Sequence, residues 1–109
     1  MDARERRLAE NETIFRSVNE QIEHLAVPQG SDSHVFEFLC ECSNLDCTLR
    51  IPLTLSEYEA IRADPTVFVV ALGHELPEIE SIIRRESTHQ VVKKHGAAAE
   101  LATARDPRS

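Results

Sequence analysis

Val35-Phe36-Glu37-Phe38-Leu39-Cys40-Glu41-Cys42-Ser43-Asn44-Leu45-Asp46-Cys47-Thr48-Leu49-Arg50-Ile51-Pro52-Leu53-Thr54 is the stretch on which the fold of this 109-residue chain turns. Val35 to Leu39 is rich in strand-forming residues, and Thr48 to Thr54 alternates as a returning strand, with Pro52 suited to a sheet edge. Between them Cys40 and Cys42 stand at i and i+2, so on an extended backbone both thiols point to one face. Ser43-Asn44-Leu45-Asp46 supplies turn residues that reverse the chain and bring Cys47 back. The reading is a β-hairpin whose turn is a metal knuckle. Three soft thiolates so close together suit tetrahedral zinc, which needs a fourth ligand. His74 is the first candidate, because Gly73 lets a loop at a strand end swing the imidazole toward the hairpin. His95 and His34 follow in that order, and His24 and His89 read as surface residues. A zinc held by Cys40, Cys42, Cys47 and His74 is closed to substrate, which makes the site structural and not catalytic.

The competing readings of the cysteines are weaker. Three cysteines leave one unpaired in any disulfide scheme. A redox thiol cluster and inert buried thiols remain open, and an iron–sulfur cluster would use the same thiolates with a less common histidine ligand. No H-E-x-x-H pattern, deaminase motif, phosphate-cradling glycine loop or nucleophile elbow accompanies the cysteines, so an enzyme ranks third among the readings of this chain, behind an interaction module and a thiolate sensor.

Working outward from the hairpin, residues 4 to about 26 carry Leu8, Phe15, Val18, Ile22 and Leu25 at heptad a and d spacing, with Asn11 filling one d position. This predicts a long amphipathic helix, ended by Pro28 and Gly30, and residues 29–33 read as a linker. Its apolar stripe is narrow, which suits a seam for a protein partner or a second copy; packing on the chain's own sheet is the alternative. Downstream, Ser56-Glu57-Tyr58-Glu59 has the form of a capping box before one short helix that ends at Asp64-Pro65. Val67 to Ala71 reads as a buried strand. Ile79 to Arg84 and Gln90 to Lys94 read as a hairpin around Glu86-Ser87-Thr88, although Ile79, Ile82 and Ile83 also fit helical spacing. The expected fold is α+β: one domain over residues 1–95, with the helix in 1–27 and a small, mostly antiparallel sheet and knuckle in 34–95. Residues 96–109 are expected to be a mostly disordered tail.

Composition narrows the function classes. Twelve basic residues against 19 acidic ones give a formal charge of −7, which opposes a nucleic-acid backbone. Arg84-Arg85 and Lys93-Lys94 read as solvated strand faces. No stretch has the length of a membrane span or a signal peptide, so a cytoplasmic location is expected. With no tryptophan, four phenylalanines and one tyrosine, the core rests on aliphatic residues and would benefit from a metal staple.

Glu10-Asn11-Glu12, Phe15-Arg16, Val18-Asn19-Glu20, Leu39-Cys40-Glu41-Cys42 with Cys47, Glu57-Tyr58-Glu59, Ile61-Arg62 and Gly73-His74-Glu75 together resemble a family of short, uncharacterised bacterial proteins. The resemblance runs to about Lys94. It implies a free-standing protein in which Gly73-His74-Glu75 belongs to the same pattern as the cysteines, and it implies no activity. The function expected is a zinc-stabilised interaction or regulatory module that docks a partner through its N-terminal helix. The alternative is a zinc-thiolate sensor that releases a partner on oxidation or metal loss.

Overall fold

Alternating burial along Phe38, Ile51 and Leu53, all enclosed, explains the first hairpin: β1 (Val35–Leu39) pairs antiparallel with β2 (Arg50–Thr54), placing Phe38 opposite Ile51 and Phe36 opposite Leu53. Pro52 is exposed opposite Glu37, a position that needs no amide donor toward a further strand. The computed structural model describes residues 1–27 and 33–108. Pro28, Gly30 and all of the expected linker except Ser33 lie outside the described residues. Around the hairpin the order is α1 (Ala3–Ala26), β1, β2, α2 (Leu55–Arg62), β3 (Val67–Ala71), β4 (Glu80–Arg85), β5 (His89–Lys94) and α3 (Gly96–Ala104). The fold is α+β, with a long N-terminal helix as expected. The strands form two antiparallel sheets, β1-β2 and β3-β5-β4. The Glu41 amide donates to Val69 O at 2.8 Å, carrying the first hairpin onto the edge of β3.

Strand, not helix, is the conformation of Glu80 to Arg85, and the hairpin to β5 closes with the Glu86 amide on His89 O. Val67 to Ala71 is buried throughout, as a strand covered on both faces requires. The shared core gathers Phe38, Ile51, Leu53, Tyr58, Ile61, Phe68 and Val92, and Phe38 stacks on Tyr58 with centroids 4.4 Å apart.

Four expectations are corrected. Helix α2 begins two residues earlier than Ser56 implied: Thr54 and Glu57 make the capping box, because Thr54 still has the extended backbone of β2 and its hydroxyl accepts from the Glu57 amide. Lys94 is not a solvated strand residue. It is buried, bonded to Glu12 and Glu80, and lies 4.4 Å from the centroid of the Phe68 ring. His89 is buried on β5, not at the surface, and its Nδ1 is 2.9 Å from Thr88 Oγ1. The segment after Lys94 is not a disordered tail. Helix α3 inserts Ala98 and Leu101 against Ala9 and Ile79, while Ala102 joins the main core. Beyond it, Asp106 pairs with Arg62, and Arg108 reaches Glu20, Glu23 and Glu59. Small side chains gave little hydrophobic signal there, but they let α3 pack close.

Helix α1 lies on this chain's own structure, yet with its polar side inward. Ala9, Glu12, Thr13, Arg16, Asn19 and Ala26 are buried, whereas Ile14, Val18 and Leu25 are 50%, 43% and 65% exposed. Asp2 caps the helix reciprocally with Glu5. The inward polar face is matched by the surface beneath it, which presents backbone carbonyls and charges. Arg16 donates to Pro65 O and Ala102 O and lies 4.2 Å from the centroid of Phe68, and Glu12 meets Lys94.

Two carboxylates therefore share one buried ammonium. Burial pushes the Glu12 carboxyl well above its usual range, Lys94 opposes the shift, and Glu80 adds to it. Glu12 Oε2 has no hydrogen-bond partner, which costs less when the group is neutral. A native pKa above the unfolded value means that folding retains a proton. This contribution to stability is present below the unfolded carboxyl pKa of about 4.3 and is lost as pH rises toward the native value. Melting curves should accordingly show Glu12→Gln and wild type nearly equal at pH 4. Wild type should then fall behind by up to about 1.4 kcal/mol per pH unit until the native pKa is passed. A difference that does not change with pH would contradict this. Leu101→Ala should separately cost about 2 kcal/mol by denaturant titration, whereas truncating a side chain in a disordered tail would cost nothing.

Candidate metal centre

Backbone alternation sets the site. Cys40 and Cys42 turn to one side of the chain leaving β1, Glu41 turns to the other, and the Cys40 amide still bonds Leu49 O across the hairpin. The Cys47 amide bonds Asn44 O, and the Asp46 amide bonds the Asn44 side chain, so residues 44–47 form the turn that returns Cys47. On the opposite side, β3 ends at Ala71 and the His74 amide closes a turn on Ala71 O. Gly73 sits in that turn at φ +80°, a conformation that favours glycine.

These two turns bring Cys40, Cys42, Cys47 and His74 together, with one ligand atom from each all within 4.8 Å of one another. His74 Nδ1 stands 3.6 Å from Cys40 Sγ and 3.7 Å from Cys47 Sγ. Cys40 and Cys42 are buried, and Cys47 and His74 are half-buried. A set of three thiols and one imidazole at this spacing can hold a metal ion. The two other histidines considered stand apart from the cluster: His95 is the N-cap residue of α3, and His34 packs against Phe36 at 4.4 Å.

The thiols are electrostatically unequal. Cys42 is lowered to about 5, chiefly because the Cys40 thiol donates to it, with help from His74 and against the effect of burial. Cys40 is pushed far up by that same bond and by burial, and burial raises Cys47. The Ala71 amide donates to Cys40 Sγ at 3.1 Å, a bond that favours charge on the sulfur. A bound cation would displace the protons that these thiols carry.

The residues that brace the cluster were less visible in the sequence. Glu41 is fully buried: Oε2 accepts from Asn19 Nδ2 at 2.9 Å and from the Tyr58 hydroxyl at 3.3 Å, and Oε1 accepts from the Val69 amide at 3.1 Å. Asn19 also exchanges two bonds with the backbone of Leu39, taking the place of a neighbouring strand, and Asn11 donates to Ser43 O. Buried Gln90 braces the His74 turn from both sides, accepting from the Gly73 amide and donating to Glu75. Only the odd position of an acid between two ligands, Cys40-Glu41-Cys42, hinted at this layer.

Among the described residues no other group of three or more His, Cys, Asp or Glu side chains stands at metal-binding spacing. A groove of about 470 Å³ lies between α2 and the β4–β5 turn and is lined by residues such as Pro52, Ser56, Glu57, Arg84 and His89. No described helix is long and apolar enough to cross a membrane.

Compared with protein-family models, with curated proteins and with solved structures, the chain finds no match. The reading of this centre therefore rests on its own geometry. His74→Ala should weaken metal binding by at least about tenfold, the lower end of what losing an outer-shell partner costs, in a competition titration against a chromophoric chelator. His95→Ala should leave the affinity unchanged. Equal affinities for wild type and His74→Ala would remove His74 from the site.

Proposed function

We propose that this protein is a zinc-stabilised interaction module, in which Cys40, Cys42, Cys47 and His74 hold one structural zinc and α1 presents a docking face to a protein partner. The single observation that carries the zinc reading is the spacing of the ligand atoms. Around tetrahedral zinc, with bonds of about 2.3 Å to sulfur and about 2.0 Å to nitrogen, sulfur and nitrogen ligands sit roughly 3.6 Å apart. The 3.6 and 3.7 Å separations of His74 Nδ1 from Cys40 and Cys47 match that edge. Four protein ligands leave no open coordination position, which favours a structural ion over a catalytic one. Thiolate and imidazole ligands also suit Zn²⁺ better than hard cations such as Mg²⁺ or Ca²⁺.

The interaction role is supported by how α1 is held. Asn11 and Asn19 tie its inner side to both flanks of the knuckle, leaving Ile14, Val18 and Leu25 outward. Zinc would order the loop against which the helix is fastened, so metal and docking face form one unit. A second reading, a zinc-thiolate sensor, is favoured by the half-buried position of Cys47 beside two fully buried thiols, which makes it the sulfur most open to an oxidant.

Native mass spectrometry of protein purified without chelators should give one zinc per chain. Removing it with a strong chelator should lower the melting temperature markedly, since structural zinc contributes folding free energy. Cys47→Ser should reproduce that loss. Protein free of metal, or a variant that melts like wild type, would overturn the zinc reading.

A further inference from the structure

The groove between α2 and the β4–β5 turn shares no residue with the cysteine–histidine cluster, and its volume of about 470 Å³ is that of a small-molecule site. Its buried lining residues are Leu53 and His89. His89 is only 5% exposed. Thr88 Oγ1 engages its Nδ1 at 2.9 Å, whereas Nε2 has no hydrogen-bond partner among the described residues and is not sealed in the core. The ring therefore keeps one unengaged nitrogen for the groove. Packing alone would be served as well by an apolar side chain.

Charge decides what the groove receives. Glu57 on α2 and Glu86 at the turn act on His89, and Arg84 is the single Lys or Arg among the described lining residues. Two carboxylates against one guanidinium leave the lining with one net negative charge. Glu86 Oε1 is 3.0 Å from Arg84 Nε, and Glu57 Oε1 accepts from the Thr54 amide at 2.8 Å, so each acid keeps Oε2 without a described partner. Burial holds the His89 imidazole below its usual range, so at pH 7 the ring is neutral and one nitrogen is an acceptor. With Nδ1–H donated to the Thr88 hydroxyl, that acceptor is Nε2. An anion would meet two carboxylates here, and a cation meets three acceptors.

We infer that this groove binds a primary alkylammonium group, its three N–H donors taken by His89, Glu57 and Glu86 and its aliphatic stem laid along Pro52, Leu53 and Ala60. An ammonium has three donors for these three acceptors, and its single charge balances the lining. The acceptors do not stand at metal-binding spacing, and the longer bonds of an ammonium, about 2.9 Å, span a wider set. The formal −7 of the chain draws cations toward the site. A free amine and a lysyl side chain share this chemistry.

Titration of the isotope-labelled full chain with n-butylamine, followed by amide NMR at about pH 7 and about 0.15 M salt, tests the inference. Saturable shifts confined to the residues around the groove are expected, with a dissociation constant of about 1 to 10 mM for so small a ligand. Butyrate and 1-butanol should leave the spectrum unchanged. Glu57→Gln and Glu86→Gln should each weaken butylamine by about threefold with the circular dichroism kept, since glutamine preserves the capping box and Glu86 is exposed. Nα-acetyl-lysine methylamide forms the second arm: tighter binding than butylamine assigns the groove to a lysyl side chain, and weaker binding assigns it to a free amine. Shifts spread over the whole acidic surface, or none at all, would overturn the inference. So would equal binding of 1-butanol, or undiminished binding by the chain carrying both Glu57→Gln and Glu86→Gln.

Discussion

Glu41 is the point on which the cysteine–histidine cluster, both sheets and two helices converge. Its backbone pairs with β3, and its carboxylate takes donors from α1, α2 and β3 through Asn19, Tyr58 and Val69. Burying an unpaired carboxylate costs several kcal/mol, and burial does raise its pKa. The Asn19 and Val69 donors, with Arg16 and Arg62 nearby, oppose that shift, and hydrogen bonds to a charged group contribute about 1.5–3 kcal/mol each. The alternation of an extended chain makes this inseparable from the cluster: two thiols can face one way only if the residue between them faces the other. What points inward at that position then has to be fitted into the core, and here it is an acid with its own set of partners.

The same logic governs α1. A helix normally buries its apolar stripe and exposes its polar one, but the surface offered to α1 consists of carbonyls at Leu39, Pro65 and Ala102 and of the Lys94–Glu80 pair. Leucine and valine there would leave those groups stranded, at about 1–3 kcal/mol apiece. Arg16, Asn19 and Glu12 answer them, and the Arg16 guanidinium and Lys94 ammonium also lie over the Phe68 ring. The buried polar network fixes one orientation of the helix, since rotating it would break several specific bonds at once. Its apolar residues are consequently displaced outward.

This explains what could and could not be read from the sequence. The knuckle was legible because i, i+2 alternation and turn chemistry are local, and His74 was legible because Gly73 marks a turn at a strand end. The β4–β5 hairpin was legible over its helical competitor through the turn at Glu86-Ser87-Thr88. The inner face of α1 was not, because hydrophobic periodicity reports where the apolar residues lie and carries no information on whether the facing surface is greasy or lined with carbonyls. Lys94 failed for the same reason: a lysine in a strand reads as solvated until Glu12, 82 residues away, is known to meet it. In α3 the alanines conceal a packing role, since close approach depends on their being small and leaves little hydrophobic signal.

The asymmetry of the four ligands connects these features to the fold as a whole. Cys40 and Cys42 belong to the first hairpin and are buried, whereas His74 belongs to the turn after β3, in the other sheet, and is half-buried. An ion bound by all four would therefore close a loop between Cys47 and His74, which are 27 residues apart. Treated like a covalent cross-link, such a closure restricts the unfolded chain by about 3–4 kcal/mol. That is a large share of the stability open to a domain of this size, in a core with few aromatic side chains. The link would act where the two sheets meet, the junction that Glu41 and Val69 already bridge through the backbone. Metal and buried carboxylate would then secure one junction from its two faces: the thiolates on one side of the chain, Glu41 on the other. Losing either would loosen the loop that Asn11 and Asn19 fasten to α1, so with an ion bound the orientation of the helix and of its outward apolar stripe would depend on both.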